Sequence, residues 1–224
     1  MSEKLLIVED DKNLGYILKE YLEMNGFNTD IAQNGDEGLS KMQQEDYDLC
    51  ILDIMMPKKD GFTVAKELKN MKKNIPFVFL TAKTLKVDQL KGFNLGADDY
   101  IVKPVDEELL IARIRAILKR GEEKTESRYY SIGKYKFIPN KRELTYKDDT
   151  QILTSREADV LKLLCQNMEE VLTREDALNK IWGDSNDINR RIMDVYISKL
   201  RKYLSNDPNV EIKNIHGTGF ILSS

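Results

Sequence analysis

The sequence is poor in the features that mark secreted or membrane-embedded chains. It has two cysteines in 224 residues. Cys50 and Cys165 stand far apart, each in an apolar context, which argues against a structural disulfide and suits a reducing cytosol. No apolar run is long enough to span a bilayer and no secretory leader is legible, so a cytoplasmic location without membrane partners is expected. There is no low-complexity tract. A large charge of one sign is also missing, since the net charge is only −3. Residues 1–120 hold 18 basic and 21 acidic side chains, and residues 128–224 hold 16 and 14. Any contact with nucleic acid must therefore come from a local cluster of cations, not from the chain as a whole.

What is present is a repeated unit. Apolar runs of strand length alternate with stretches of helical spacing. Lys4–Val8 ends in Glu9-Asp10-Asp11, and Leu49–Leu52 ends in Asp53. Pro76–Leu80 ends in Thr81, and Tyr100–Val102 ends in Lys103-Pro104. A weaker strand spans Phe27–Ala32. Short continuous apolar runs fit parallel strands buried on both faces. Five of them alternating with five helices predict a doubly wound five-stranded parallel sheet of α/β class.

Such a sheet brings its strand ends to one edge, where α/β proteins put their chemistry. Glu9, Asp10 and Asp53 would cluster there. Three carboxylates together repel, and they suit a hard divalent cation with oxygen ligands, most simply Mg²⁺. A hydroxyl from Thr81 and an ammonium from Lys103 suit a phosphoryl group. The set supplies a carboxylate nucleophile, a metal site and donors for phosphoryl oxygens, which is what transfer to an aspartate needs.

Segment 121–127 is short and polar and reads as a linker. Beyond it, short alternating runs from Tyr130 to Leu153 predict a small antiparallel sheet. Thr154 with Glu157 forms a capping box before one helix, and Thr173 with Asp176 opens a second. A third helix covers about Ile188–Leu204. Met193, Ile197, Leu200 and Leu204 give it a core-facing stripe. Arg190, Arg191, Lys199, Arg201 and Lys202 lie largely off that stripe, as phosphate and base contacts would. A hairpin follows around His216-Gly217-Thr218-Gly219.

Residues 1–120, through IVEDD, ILDIMMPKKDG, LTAK and GADDYIVKP, resemble the receiver domain of two-component response regulators. Residues 128–224, through LTSREADVLKLL, VLTREDALNKIWG, RRIMDVYISKLRKYL and IHGTGF, resemble the winged-helix output domain of the OmpR/PhoB subfamily. The resemblance implies a transcriptional regulator, not an enzyme. Asp53 would take a phosphoryl group from a sensor histidine kinase. Mg²⁺ would be held by Asp10, Asp53 and the Met55 carbonyl, with Glu9 acting through water. Thr81 and Lys103 would bind the phosphoryl oxygens, and Tyr100 would be the switch aromatic beside a cis Lys103–Pro104 bond. The third helix and hairpin would bind promoter DNA through Arg190, Arg191, Val195, Tyr196, Lys199, Arg201, His216 and Thr218. Tyr196 and His216 stand where relatives often carry His and Arg. Lys199 replaces a frequent Arg, and Lys lacks the fork that grips guanine. Phosphorylation would promote a homodimer through the fourth helix, fifth strand and fifth helix, with intermolecular pairs Asp99–Arg113 and Asp98–Arg120. Gln89 and Leu109 stand where a third pair is usual. The resemblance also leaves room for a contact with RNA polymerase.

Two rival readings arise. A phosphatase or phosphotransferase with an aspartyl-phosphate intermediate needs an acid/base carboxylate near the nucleophile, and the residue two after Asp53 is Met55. A degenerate, unphosphorylated receiver conflicts with the complete set Glu9, Asp10, Asp53, Thr81 and Lys103.

Overall fold

A computed structural model describes residues 2–71, 75–122, 129–183, 185 and 187–224, with the side chains of 120–122 outside the description. The chain forms two compact units, Met1–Glu122 and Glu123–Ser224.

In the first unit β1 (Lys4–Val8), β2 (Asn28–Ala32), β3 (Leu49–Leu52), β4 (Phe77–Thr81) and β5 (Asp99–Val102) alternate with α1 (Lys12–Met24), α2 (Gly35–Gln44), α3 (Gly61–Asn70), α4 (Lys86–Leu95) and α5 (Glu107–Glu122). All strands run parallel in the order β2-β1-β3-β4-β5. β3 and β4 are buried along their whole length, as their unbroken apolar runs require. Leu5, Ile7, Leu49, Ile51, Val78, Leu80 and Ile101 meet Leu18, Leu22, Leu110, Ile114 and Ile117 in one core.

The helices start where the sequence offers a cap. Asp11, Asn34 and Asp60 each accept backbone N–H groups at the first turns of α1, α2 and α3. The triplet Glu9-Asp10-Asp11 thus divides its work: Glu9 is buried, Asp10 is exposed and Asp11 caps α1. α5 continues through Glu122, past residue 121 where the linker was expected. The remainder of that linker lies outside the described residues.

The second unit opens with an antiparallel sheet of β6 (Tyr130–Ile132), β7 (Tyr135–Ile138), β8 (Glu143–Tyr146) and β9 (Asp149–Ile152), paired in that order. β9 begins at Asp149, two residues before Gln151, where the sequence pattern alone would start the strand. A left-handed Lys147 turns the chain so that Asp149 already pairs with Tyr146. α6 (Ser155–Gln166) starts at the Thr154–Glu157 capping box, with both reciprocal bonds made. α7 (Arg174–Trp182) and α8 (Asp187–Tyr203) follow, and β11 (Glu211–Ile215) and β12 (Gly219–Ser223) form the terminal hairpin. A two-residue strand, β10 (Leu172–Thr173), pairs with β12 and completes a second small sheet. It was not expected from sequence. α8 buries Ile192, Met193, Tyr196, Ile197 and Leu200.

Candidate functional site

Main-chain bonds between neighbouring strands gather the chemistry. The N–H groups of Asp53 and Glu9 donate to the carbonyls of Val8 (2.9 Å) and Ala32 (3.0 Å), and Lys103 N–H donates to the Thr81 carbonyl (2.9 Å). With β3 paired to β4 as well, the ends of β1, β3, β4 and β5 lie side by side. Lys103 Nζ reaches 2.6 Å from Glu9 Oε2 and 2.7 Å from Asp53 Oδ2. Asp53 Oδ1 also accepts the Met55 N–H at 2.9 Å. Oxygen atoms from Glu9, Asp10 and Asp53 come within 4.8 Å of one another, close enough to share one cation. Three carboxylates with no nitrogen or sulfur donor among them suit a hard ion, so the residues fit Mg²⁺.

Burial pushes the Glu9 carboxyl above the usual glutamate range, against the opposing pull of Lys103. Burial also works against the charge on Lys103, but hydrogen bonds to Asp53 and Glu9 outweigh it and hold the ammonium above its ordinary value. Gly61 lets α3 approach the site. A Cβ there would lie 2.2 Å from the Asp53 carbonyl oxygen, which is backbone and has nowhere to go.

Thr81 is fully buried at the end of β4, and its Oγ1 accepts the Lys83 N–H at 3.4 Å. Tyr100 is buried too. Its hydroxyl donates to the Lys83 carbonyl at 3.1 Å, and its ring packs near Phe79 and Phe93. The ring lies against the backbone of α4 at Gly92, where a Cβ would be 2.9 Å from Tyr100 Cδ2. Lys83, two residues past Thr81, therefore touches both the Thr81 hydroxyl and the Tyr100 phenol through its main chain. The Lys103–Pro104 peptide is cis, as expected.

On the α4–β5–α5 face one expectation changes. Asp99 and Arg113, expected to pair between copies, lie close enough to pair within this single chain, Oδ2 to Nη1 at 2.7 Å. Asp98 is only 2% exposed, and its Oδ2 accepts the Phe77 N–H at 3.0 Å. Successive strand residues point to opposite sides, so Asp98 holds β4 to β5 instead of reaching outward. Its expected partner, the Arg120 side chain, lies outside the described residues. Gln89 donates to the Thr84 carbonyl, and Leu109 is 48% exposed.

In the second unit Arg190 and Arg191 are exposed on α8, and His216 and Thr218 are exposed at the hairpin turn. Val195 is half-buried. Tyr196 corrects the sequence reading: it is completely buried, with its ring 6.1 Å from that of Trp182, and cannot touch a duplex. Lys199 points inward to Glu157 at 3.1 Å, and Arg201 donates from both Nε and Nη2 to the Ile212 carbonyl (2.9 and 2.7 Å). Two residues, Ser198 and Arg174, were missed. Ser198 and Lys202 are exposed in line with Arg191. Arg174 pairs with Asp194 on α8 at 2.6 Å and lies over the Phe220 ring of the hairpin at 4.5 Å. The helical spacing of 198 from Arg191 and Lys202 could have found Ser198; nothing local marks Arg174.

Comparison with known proteins agrees with this architecture. Residues 5–115 match the response regulator receiver domain, and residues 148–222 match the C-terminal domain of transcriptional regulatory proteins. The chain is 50% identical to the transcriptional regulatory protein RprY of Bacteroides fragilis, covering 99% of this chain and 96% of that protein. It is 36% identical to the alkaline phosphatase synthesis regulator PhoP of Bacillus subtilis, over 99% and 97% of the two chains. A solved structure of a RitR point mutant aligns over both full lengths with a TM-score of 0.79 at 28% identity. DrrB of Thermotoga maritima, an OmpR/PhoB homologue, aligns likewise with a TM-score of 0.53 at 29% identity. With a receiver unit carrying the acidic strand-end cluster and a winged-helix unit behind it, the chain belongs to the OmpR/PhoB family of two-component transcriptional response regulators.

Proposed function

We propose that Asp53 is the phosphoacceptor of the receiver unit, Met1–Glu122, which is followed in the chain by a DNA-binding unit over 128–224. The observation that carries this is the bridge of Lys103 to both Asp53 and Glu9, with Asp10 beside them. A phosphohistidine on a sensor kinase is the donor: its N–P bond breaks as a bond forms from phosphorus to an Asp53 carboxylate oxygen. Asp10, Asp53 and the Met55 carbonyl would hold Mg²⁺, with Glu9 acting through water. Bound there, the ion neutralises charge gathering on the phosphoryl oxygens. Lys103 exchanges Asp53 Oδ2 for a phosphoryl oxygen, and the Thr81 hydroxyl turns to another. Lys83 links that movement to Tyr100, because its N–H contacts Thr81 and its carbonyl holds the phenol.

The readout is a homodimer through α4, β5 and α5. Asp99 and Arg113 exchange partners between copies, with Gln89 and Leu109 in the same face. Promoter DNA is then bound through Arg190, Arg191 and Val195 on α8, with His216 and Thr218 reaching the minor groove. RNA polymerase is the further partner of such a complex, and the protein works in the cytoplasm without catalysing turnover. The exposed Met55 supports a regulator, since it leaves no second carboxylate two residues past Asp53. Incubation with acetyl phosphate and Mg²⁺ is expected to give an acid-stable, base-labile phosphoryl adduct that Asp53→Ala abolishes; equal labelling of the variant refutes the assignment.

A further inference from the structure

The basic residues of α8 do not all serve one surface. The Lys199 side chain is 15% exposed, and its Nζ lies 3.1 Å from Glu157 Oε1, which belongs to a side chain only 1% exposed. That carboxylate is already held in place. Its Oε2 accepts the Thr154 N–H at 3.0 Å, and Tyr203 Oη lies 3.5 Å from Oε1. Lys199 and Tyr203 are one turn apart on α8, so a single glutamate at the start of α6 anchors the last two turns of α8. The Lys199 ammonium also sits 5.4 Å from the ring centroid of the buried Tyr196. Helical geometry separates this side from the exposed one. At about 100° per residue, Ser198 and Lys202 lie within about 20° of Arg191, whereas Lys199 lies about 80° away. Arg191, Ser198 and Lys202 are exposed, with Val195 beside them.

We propose that Lys199 is a positioning residue that sets the pose of α8 through Glu157, and that Ser198 takes the base-reading place on this helix. The proposal rests on the DNA-binding reading above. Its ligand is the major-groove edge of duplex DNA. A serine hydroxyl both donates and accepts, so it pairs with more than one base, while Val195 offers the apolar contact that a thymine methyl takes. An ammonium folded onto Glu157 contributes no phosphate contact.

Full-length protein phosphorylated with acetyl phosphate is used to select sites from random duplexes, and variants are titrated on the selected site across salt. Ser198→Ala is expected to relax preference at one base position by roughly fivefold. Glu157→Gln releases Lys199, and the slope of log affinity against log salt steepens by about one unit. A change confined to stability would leave that slope alone. The double variant Glu157→Gln/Lys199→Gln removes both charges, leaving no isolated buried ion to unfold the domain. It is expected to lose affinity evenly across sequences while keeping the wild-type slope. A slope lower by about one unit in the double variant, a preference altered at a single position in it, or unchanged preferences in Ser198→Ala overturns the proposal. Wild-type protein that enriches no sequence overturns the DNA-binding reading as well, which keeps the two failures distinct.

Discussion

Gly92→Ala is a sharp probe of the switch proposed for Tyr100. A Cβ built there falls 2.9 Å from Tyr100 Cδ2, 3.0 Å from Phe79 Cδ2 and 3.2 Å from Phe79 Cε2. Carbon atoms rest at about 3.5–4.0 Å, so two rings must give way. Phe79 is sealed in the core between Phe62 and Phe77, and Tyr100 is the freer of the two. The ring of Tyr100 is therefore the one that retreats, losing its bond to the Lys83 carbonyl. Overpacking costs about 1–3 kcal/mol. The lost hydrogen bond adds about 1 kcal/mol. Alanine in a helix interior returns about 1 kcal/mol over glycine. The receiver should lose about 1–3 kcal/mol in urea unfolding. Burial raises the Tyr100 phenol above its ordinary range, so a displaced ring should titrate closer to pH 10 in tyrosine-labelled NMR. Phosphorylation of Asp53 should persist while its coupling to dimerisation and DNA binding weakens. Unchanged stability together with an unchanged Tyr100 titration would show that the ring does not depend on the bare backbone at residue 92.

Other perturbations test the remaining contacts. Lys103→Met leaves two nearly buried carboxylates side by side and should cost about 3–5 kcal/mol by urea unfolding; a loss under 1 kcal/mol would mean that the bridge to Glu9 and Asp53 is energetically empty. Because the Glu9 carboxyl is raised in the fold, its stabilising contribution is present below the unfolded value near pH 4.5 and is lost as pH rises through the folded one. The stability advantage of wild type over Glu9→Gln should therefore shrink from pH 4 to neutrality, and an advantage that grows would reverse the sign. Arg113→Ala breaks an exposed pair worth about 0–1 kcal/mol, so monomer stability should barely change. Sedimentation of the phosphorylated form should nonetheless show weaker pairing, and an equal dimer constant would place the interface elsewhere.

The receiver was legible because four of its five strand ends set a charged or hydroxyl residue against an apolar run. Val8 to Glu9 and Leu52 to Asp53 are abrupt changes of hydropathy, and parallel pairing turns them into one edge. The DNA-facing side was less legible. Tyr196 and Lys199 are amphipathic side chains that reach core or solvent from the same helical position, and only the presence of Trp182 and Glu157 decides which. Asp98 and Asp99 are adjacent and chemically identical, so the sequence could not say which would be clamped inside until the register of β5 on β4 was known. Leu172–Thr173 is too short to carry a strand pattern of its own, and exists as β10 because β12 lies beside it.

The strand order has a consequence for synthesis. Lys103 and Glu9 are separated by 94 positions in the chain, yet they meet in one ion pair. Parallel strands cannot close by local hairpins, so this contact depends on crossovers that must all be made first. A nascent chain emerging at about 5–20 residues per second exposes Glu9 and Asp53 long before Lys103 is available. Until β5 docks, the carboxylates have no ammonium between them. If Asp53 is the phosphoacceptor as proposed, its acceptance of a phosphoryl group is tied to completion of the sheet, and a chain truncated before residue 103 would be silent to a kinase as well as misfolded.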